Sequence, residues 1–249
     1  MQKILLMFSG GLDCCYLLNK LIESETYKTN HITLHHITLK DDTQRYIAED
    51  RQAKKIYNYY LSIIPSEYKK NFNYNTSEFK MNNDNNFHNG INIKYDCEPV
   101  AFIASQIAVL DDYDYILTGA FYCGEKEEYP NDYQGFETMI AYANKIKGKN
   151  VKPIIYKNFG KIEYHLVKNQ QLTFEQKQII EEHFLKKNKI KEEHDYYIIK
   201  NMFLIKRYFY NHIPEFVKEN YSSCRNPIVK IDNIQLCGEC INCKIKKLF

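Results

Sequence analysis

The sequence lacks several things, and each absence removes a class of protein. No apolar run approaches the roughly 18–20 residues that a membrane span needs. The short apolar run at the N-terminus makes a poor secretory leader, because it leads straight into a glycine turn. A membrane partner is therefore not expected, and a cytoplasmic location is. Neither G-x-x-x-x-G-K-[ST] nor G-x-G-x-x-G occurs, which disfavours a kinase, a GTPase or an NAD enzyme. Charge of one sign is missing too. With 34 basic and 31 acidic residues the net charge is +3, too balanced to argue by itself for direct nucleic-acid binding. No internal repeat is visible. Tryptophan is absent while Tyr, Asn, Lys and Ile abound, which reads as coding bias rather than function.

What is present begins with length and core. A chain of 249 residues suits one domain, or one domain with an appendage. Its 44% apolar content can fill a sizeable core. The most informative stretch is Ser9-Gly10-Gly11-Leu12-Asp13. An apolar run at 3–8 precedes it and a helical pattern at 13–23 follows, so the order is strand, glycine turn, helix. Two glycines permit a tight turn without a Cβ in the way. Successive N–H groups then converge at the positive end of the new helix, where a pyrophosphate fits. The plain alternative is a glycine turn with no ligand.

Further strands are expected at 31–38, 115–118 and 151–156. Helices are expected at 46–62, 99–110, 136–147 and 174–187. Strands alternating with helices imply an α/β fold with a doubly wound parallel sheet. The polar, Asn-rich stretch 70–92 reads as a loop or excursion. The charged stretch 170–200 reads as a solvated helical face. These shifts divide the chain into an α/β domain at 1–169 that carries the glycine turn, and a helical, cysteine-bearing region at 170–249.

Eight cysteines stand at 14, 15, 97, 123, 224, 237, 240 and 243. Clustering of four near the C-terminus suggests a metal site in a reducing compartment rather than a disulfide scaffold. Cys237-x2-Cys240-x2-Cys243 with Cys224 upstream offers four soft ligands, a set that suits structural zinc and leaves no open coordination position. The rival is an iron–sulfur cluster, since the same C-x2-C-x2-C spacing occurs in ferredoxins. Zinc is favoured because the Pro-flanked fourth cysteine of bacterial ferredoxins is missing.

Ser-Gly-Gly-x-Asp after a first strand resembles the PP-loop of the N-type ATP pyrophosphatases, with Cys14 where that superfamily usually has Ser. Together with the terminal S-C…C-G-x-C-x-x-C, it resembles the QueC, or 7-cyano-7-deazaguanine synthase, family. Asp41-Asp42-Thr43-Gln44-Arg45-Tyr46 with Glu49 and Ala53 is similar to D-Y-G-Q-R-H-x-x-E-x-x-x-A. Thr118-Gly119 resembles the family's strand end before an acidic loop. Glu128-Tyr129-Pro130 with Phe136 resembles G-Y-P-D-C-R-x-x-F, Pro153 the P-[LI] segment, and Lys161-Ile162-Glu163 the K-x-E-[IL] element.

The resemblance implies an ATP-dependent carbon–nitrogen ligase. ATP would adenylate the carboxylate of 7-carboxy-7-deazaguanine, and ammonia would form the amide. A second ATP would activate that amide for loss of water to the nitrile, with release of AMP and pyrophosphate. The implied cofactors are ATP, Mg²⁺ and structural Zn²⁺. Asp13 and Lys161 are the implied catalytic residues. Nucleotide contacts would come from Phe8, Ser9, Gly10, Gly11, Leu12 and Asp13, then Cys14, Cys15, Tyr16, Leu17 and Leu18, with Gln44, Arg45 and Gly119. His35 and His36 lie where the family's backbone meets adenine, and read as strand-end side chains. The family often forms homodimers.

Departures concentrate where the family reads its substrate. P-x-R-N-x-x-F-L becomes Asp96-Cys97-Glu98-Pro99-Val100-Ala101-Phe102-Ile103, and Y-P-D-C-R becomes Tyr129-Pro130-Asn131-Asp132-Tyr133. Two arginines that could hold a carboxylate bidentately are gone, and Glu98 reverses the charge. ATP chemistry is therefore expected to persist with altered substrate recognition. Four functions remain open. The first is a nitrile-forming synthase with a remodelled pocket. The second is a relative that joins a deazaguanine-like acid to another amine, such as a protein or peptide, as in some antiviral systems. The third is a tRNA-thiolating enzyme, which would need a reactive pair such as Cys14–Cys15 or Cys123. The fourth is a non-catalytic nucleotide-binding subunit, against which Asp13 argues.

Overall fold

Odd and even residues of the first strand enter different cores. In β1 (Gln2–Met7), Ile4 and Leu6 join one buried cluster while Leu5 and Met7 join another. Strand side chains alternate between faces, so an unbroken apolar run requires cover on both sides. The computed structural model of the chain describes residues 1–40, 44–80, 97–119, 130–156, 159–181, 193–222, 224, 227–231 and 234–249. Within them, β1 is the centre of a five-stranded parallel sheet. Its neighbours are β2 (Asn30–Lys40) and β4 (Tyr115–Leu117), with β3 (Phe72–Lys80) and β5 (Ile154–Ile155) outside, in the order β3-β2-β1-β4-β5.

One face is covered by α1 (Leu12–Glu23) and α2 (Arg45–Ile63), the other by α3 (Cys97–Leu110) and α4 (Pro130–Lys147). This is the α/β, doubly wound parallel sheet expected from the alternation of strands and helices. The chain winds outward from β1 to β3, then crosses back to β4. That reversal places a crevice at the C-terminal ends of β1 and β4, where sheets of this kind hold ligands.

Two expectations are corrected. The first nine residues after Asn71 are strand, not loop: β3 pairs along β2 from Ile32↔Phe72 to Lys40↔Lys80. An outer strand needs apolar side chains only where it meets the core. Phe72 and Tyr74 pack against Tyr57 at 5.3 and 5.0 Å, and Asn73 and Asn75, on the alternate positions, face solvent. The rest of the supposed loop, 81–92, lies outside the described residues. The expected strand at 151–156 shortens to Ile154–Ile155, since Pro153 has no N–H to give to a ladder.

Beyond residue 160 come α5 (Lys161–Val167), α6 (Phe174–Ile180), α7 (Glu193–Asn211) and α8 (Glu215–Asn220). A small hairpin of β6 (Ile228–Val229) and β7 (Ile234–Gln235) follows, then α9 (Ile241–Lys246). Phe203, Leu204, Ile205 and Phe209 of α7 belong to the same buried cluster as Leu6, Phe8 and Leu17. No helix among the described residues is long and apolar enough to cross a membrane.

Candidate functional site

The turn after β1 is shaped by two close approaches. Gly10 adopts φ +75, and a Cβ there would lie 3.1 Å from the Ala53 Cα of α2. Only glycine meets both conditions without strain. Across the crevice, a Cβ on Gly119 would lie 2.6 Å from the Cys14 sulfur, so the end of β4 sits directly against the start of α1. The N-cap, Gly11, offers no side chain to the helix. The first-turn N–H groups of α1 have no intrahelical acceptor, and Ser9 stands exposed beside them. Its hydroxyl accepts from the Gly11 N–H at 3.2 Å.

A carboxylate and an ammonium meet at this turn. Asp13 Oδ2 lies 3.1 Å from Lys206 Nζ of α7, with side chains 24% and 29% exposed. Asp13 Oδ1 is buried and has no hydrogen-bond partner. Beneath, the Tyr16 ring stacks on Phe209 at 4.2 Å, and its hydroxyl donates to Glu163 Oε1 at 2.8 Å. Burial and that carboxylate hold the Tyr16 phenol well above its usual range, so it remains a donor. Glu163 of the Lys161-Ile162-Glu163 motif thus anchors α5 to α1, and Lys161 itself is exposed at the start of α5.

The cysteines of the turn look inward. The Cys14 thiol donates to the Met7 carbonyl at 3.4 Å, and the Cys15 thiol to the Gly10 carbonyl at 3.5 Å. Burial raises the pKa of Cys14 and raises that of Cys15 further, which keeps both as thiols and poor nucleophiles. Leu17 and Leu18 are core residues. Leu12 is buried as well, at the helix start.

The second strand braces the turn. His36 donates from Nδ1 to the Phe8 carbonyl at 2.8 Å, and its Nε2 meets Asp50 Oδ1 at 2.7 Å. Thr38 donates to the same Asp50 oxygen at 2.8 Å. His35 points to the other face, where Nε2 meets the Ser77 hydroxyl at 2.9 Å and Nδ1 is buried without a partner. Burial first, and His36 second, lower its pKa to about 4.

Gln44 and Arg45 turn away from the crevice. The Val229 N–H donates to Gln44 Oε1 at 2.9 Å, and Arg45 Nε donates to Glu49 at 2.7 Å. Arg51 donates to the Lys230 and Ile231 carbonyls at 2.7 and 3.3 Å. Thus α2 holds the segment between Cys224 and Cys237.

Cys224, Cys237, Cys240 and Cys243 converge as the sequence spacing implies, with all four sulfurs within 4.8 Å of one another. They could hold a metal ion. Zinc–sulfur bonds of about 2.3 Å put tetrahedral sulfurs about 3.8 Å apart. Cys237 and Cys243 sulfurs stand 3.9 Å apart. The Cys237 N–H donates to the Cys224 sulfur, and the Cys240 N–H to the Cys237 sulfur, each at 3.3 Å. Backbone donors, Cys240 before Glu239, pull Cys237 down to about 6. Burial pushes Cys243 up, a direction that a bound cation reverses.

Sequence reasoning did not find Lys206, Ser222 or Asp50. Lys206 left one signal, a pair of cations, Lys206-Arg207, inside the otherwise apolar run from Phe203 to Phe209. Glu98, Pro99 and Asn131 to Tyr133 have no described side chains. Asp41 to Thr43, Cys123, Glu128 and Tyr129 lie outside the described residues.

No protein-family model matches the chain, and no curated protein matches it. Among solved structures it is similar to the U34-tRNA thiolase NcsA from Methanococcus maripaludis with its 4Fe-4S cluster. That alignment covers 100% of this chain and 81% of the other, with a TM-score of 0.39 and 15% identity. So distant a likeness assigns no chemistry to this chain.

Proposed function

We propose that the chain is a PP-loop, QueC-like enzyme that uses MgATP to adenylate a small carboxylic acid. The acid is 7-carboxy-7-deazaguanine or a relative of it, and ammonia or another amine then displaces AMP. One observation carries this reading. A glycine turn presents the uncapped N-terminus of α1 at the sheet's crossover crevice, with Asp13 at its edge. A triphosphate is the ligand such donors suit.

In this reaction the acid's carboxylate oxygen attacks the α-phosphorus. The bridging oxygen leaves with pyrophosphate and takes the bonding electron pair. The amine nitrogen then attacks the acyl carbon, loses a proton, and AMP departs. Formation of the nitrile repeats the activation on the amide oxygen: that oxygen leaves with the second AMP as the C–O bond breaks, and the nitrogen gives up its two protons to solvent. Mg²⁺ would screen the phosphate charge, as a hard cation suited to oxygen ligands. Binding and charge placement supply the catalysis, since no protein nucleophile is required.

The four cysteines would hold one structural zinc. A cubane cluster carries its thiolates outward on four separate irons, so the close sulfur spacing favours a single ion. Thiolation of tRNA through Cys14 and Cys15 is disfavoured because both thiols are buried and raised in pKa. An amine acceptor on a protein or peptide, and a homodimer, remain part of the proposal.

The test incubates the chain with 7-carboxy-7-deazaguanine, MgATP and ammonia, and follows AMP, pyrophosphate, amide and nitrile by mass spectrometry. AMP with amide or nitrile supports the reading. AMP formed only when a protein or peptide amine is supplied shifts it to conjugation. No AMP with this acid or its analogues sinks it.

A further inference from the structure

We propose that Lys206 binds the β- and γ-phosphates of ATP at the glycine turn, an assignment that rests on the adenylating reading above. The turn itself carries no cation: residues 9–19 contain neither Lys nor Arg. A Walker loop brings its own lysine to the phosphates. Here a positive side chain must arrive from another element, and α7 delivers one 3.1 Å from Asp13.

Its position is fixed by register. Asp13 and Tyr16 are three residues apart on α1, as are Lys206 and Phe209 on α7. Residues three apart share a helix face. The Tyr16–Phe209 stack, at 4.2 Å and 13°, therefore sets the Asp13–Lys206 pair one turn further toward the crevice. Phe159 closes on the same two rings at 6.1 and 5.2 Å. The ammonium is thus aimed by a buried aromatic cluster, and the Lys206 side chain as a whole is 29% exposed.

Asp13 holds the ammonium through one oxygen only. A triphosphate against the first turn of α1 offers several anionic oxygens within the same reach. The flexible four-carbon stem of lysine lets Nζ pass from carboxylate to phosphate without moving α7. When the bond between the α-phosphorus and the bridging oxygen breaks, charge grows on the departing pyrophosphate. A cation already beside it stabilises that charge without reorganisation.

The experiment is calorimetric titration of the full chain with MgATP, MgADP and MgAMP. Lys206→Gln is expected to weaken ATP and ADP at least about tenfold and to leave AMP within about twofold. Lys206→Arg, which keeps the charge, should retain the preference for ATP over AMP. Lys206→Met, which keeps the apolar stem, is measured in parallel as a second neutral variant in case Lys206→Gln fails to fold. A neutral, folded variant that keeps the wild-type ATP-over-AMP preference overturns the assignment. So does an equal loss of all three nucleotides, which would mean that Lys206 acts only on the shape of the turn. A wild-type chain that binds none of the three removes the adenylating reading itself.

Discussion

The Ser222 N–H donates to the carbonyl oxygen of Gly10 at 2.8 Å, two residues before Cys224. The segment that enters the four-cysteine site therefore presses on the glycine turn. Gln44 and Arg51 hold the far side of the same segment through Val229, Lys230 and Ile231. Metal removal is expected to reach the turn through this contact. Chelation should weaken MgATP binding at least about fivefold while the far-ultraviolet circular dichroism of the α/β core persists. Equal ATP affinity before and after chelation would show that the two sites are independent. Elemental analysis should find one zinc per chain, reduced in Cys237→Ser; iron with sulfide would replace this assignment by a cluster.

Two glycines make a matched pair for mutation. Gly10→Ala meets a left-handed backbone, which alone costs about 1–2 kcal/mol, and a tight 3.1 Å approach to the Ala53 Cα of α2. Gly135→Ala lies in α4 with open space around its Cβ, and should stabilise the chain by about 0.5–1 kcal/mol. Thermal melts of both variants check the contrast. Comparable melting temperatures would contradict the turn geometry.

Asp13→Ala is expected to abolish AMP formation, a fall of at least about a hundredfold. The loss should exceed any change in melting temperature, because the Asp13–Lys206 pair is partly exposed and such pairs contribute little stability. Undiminished turnover in Asp13→Ala would refute the assignment of the glycine turn as the ATP site.

His35 should make the fold sensitive to acid. Its pKa is about 4 in the folded chain, against an ordinary value of 6.5. Between those values the unfolded chain binds the proton and the folded chain does not. Stability contributed by the neutral ring is therefore full above about pH 6.5 and falls as pH drops toward 4, by up to about 3 kcal/mol. His35→Gln, which can still reach Ser77, should show a smaller loss of melting temperature between pH 7 and pH 5 than the wild type. Identical slopes would rule His35 out as the source.

Much of this was legible in one dimension. The apolar run of β1 and the alternation of strands with helices specify a two-sided parallel sheet, because local burial demands are written residue by residue. The glycine turn and the cysteine spacing are equally local: a few neighbouring residues decide the direction of an N–H or a thiol. β3 was not legible, because an outer strand can be polar at every position that faces water, and Asn73, Asn75 and Thr76 hide its pattern.

The sequence by itself determined the fold class, the position of the glycine turn and the membership of the four-cysteine set. Each depends on contacts within a short stretch or on a repeating period. Only the tertiary structure decided that Lys206 stands beside Asp13, that Ser222 grips Gly10, and that Cys14 and Cys15 face inward. Those partners are separated by up to 212 residues, as for Gly10 and Ser222. No local pattern encodes such a meeting; it arises when α7 and the C-terminal segment pack against α1 and complete the core.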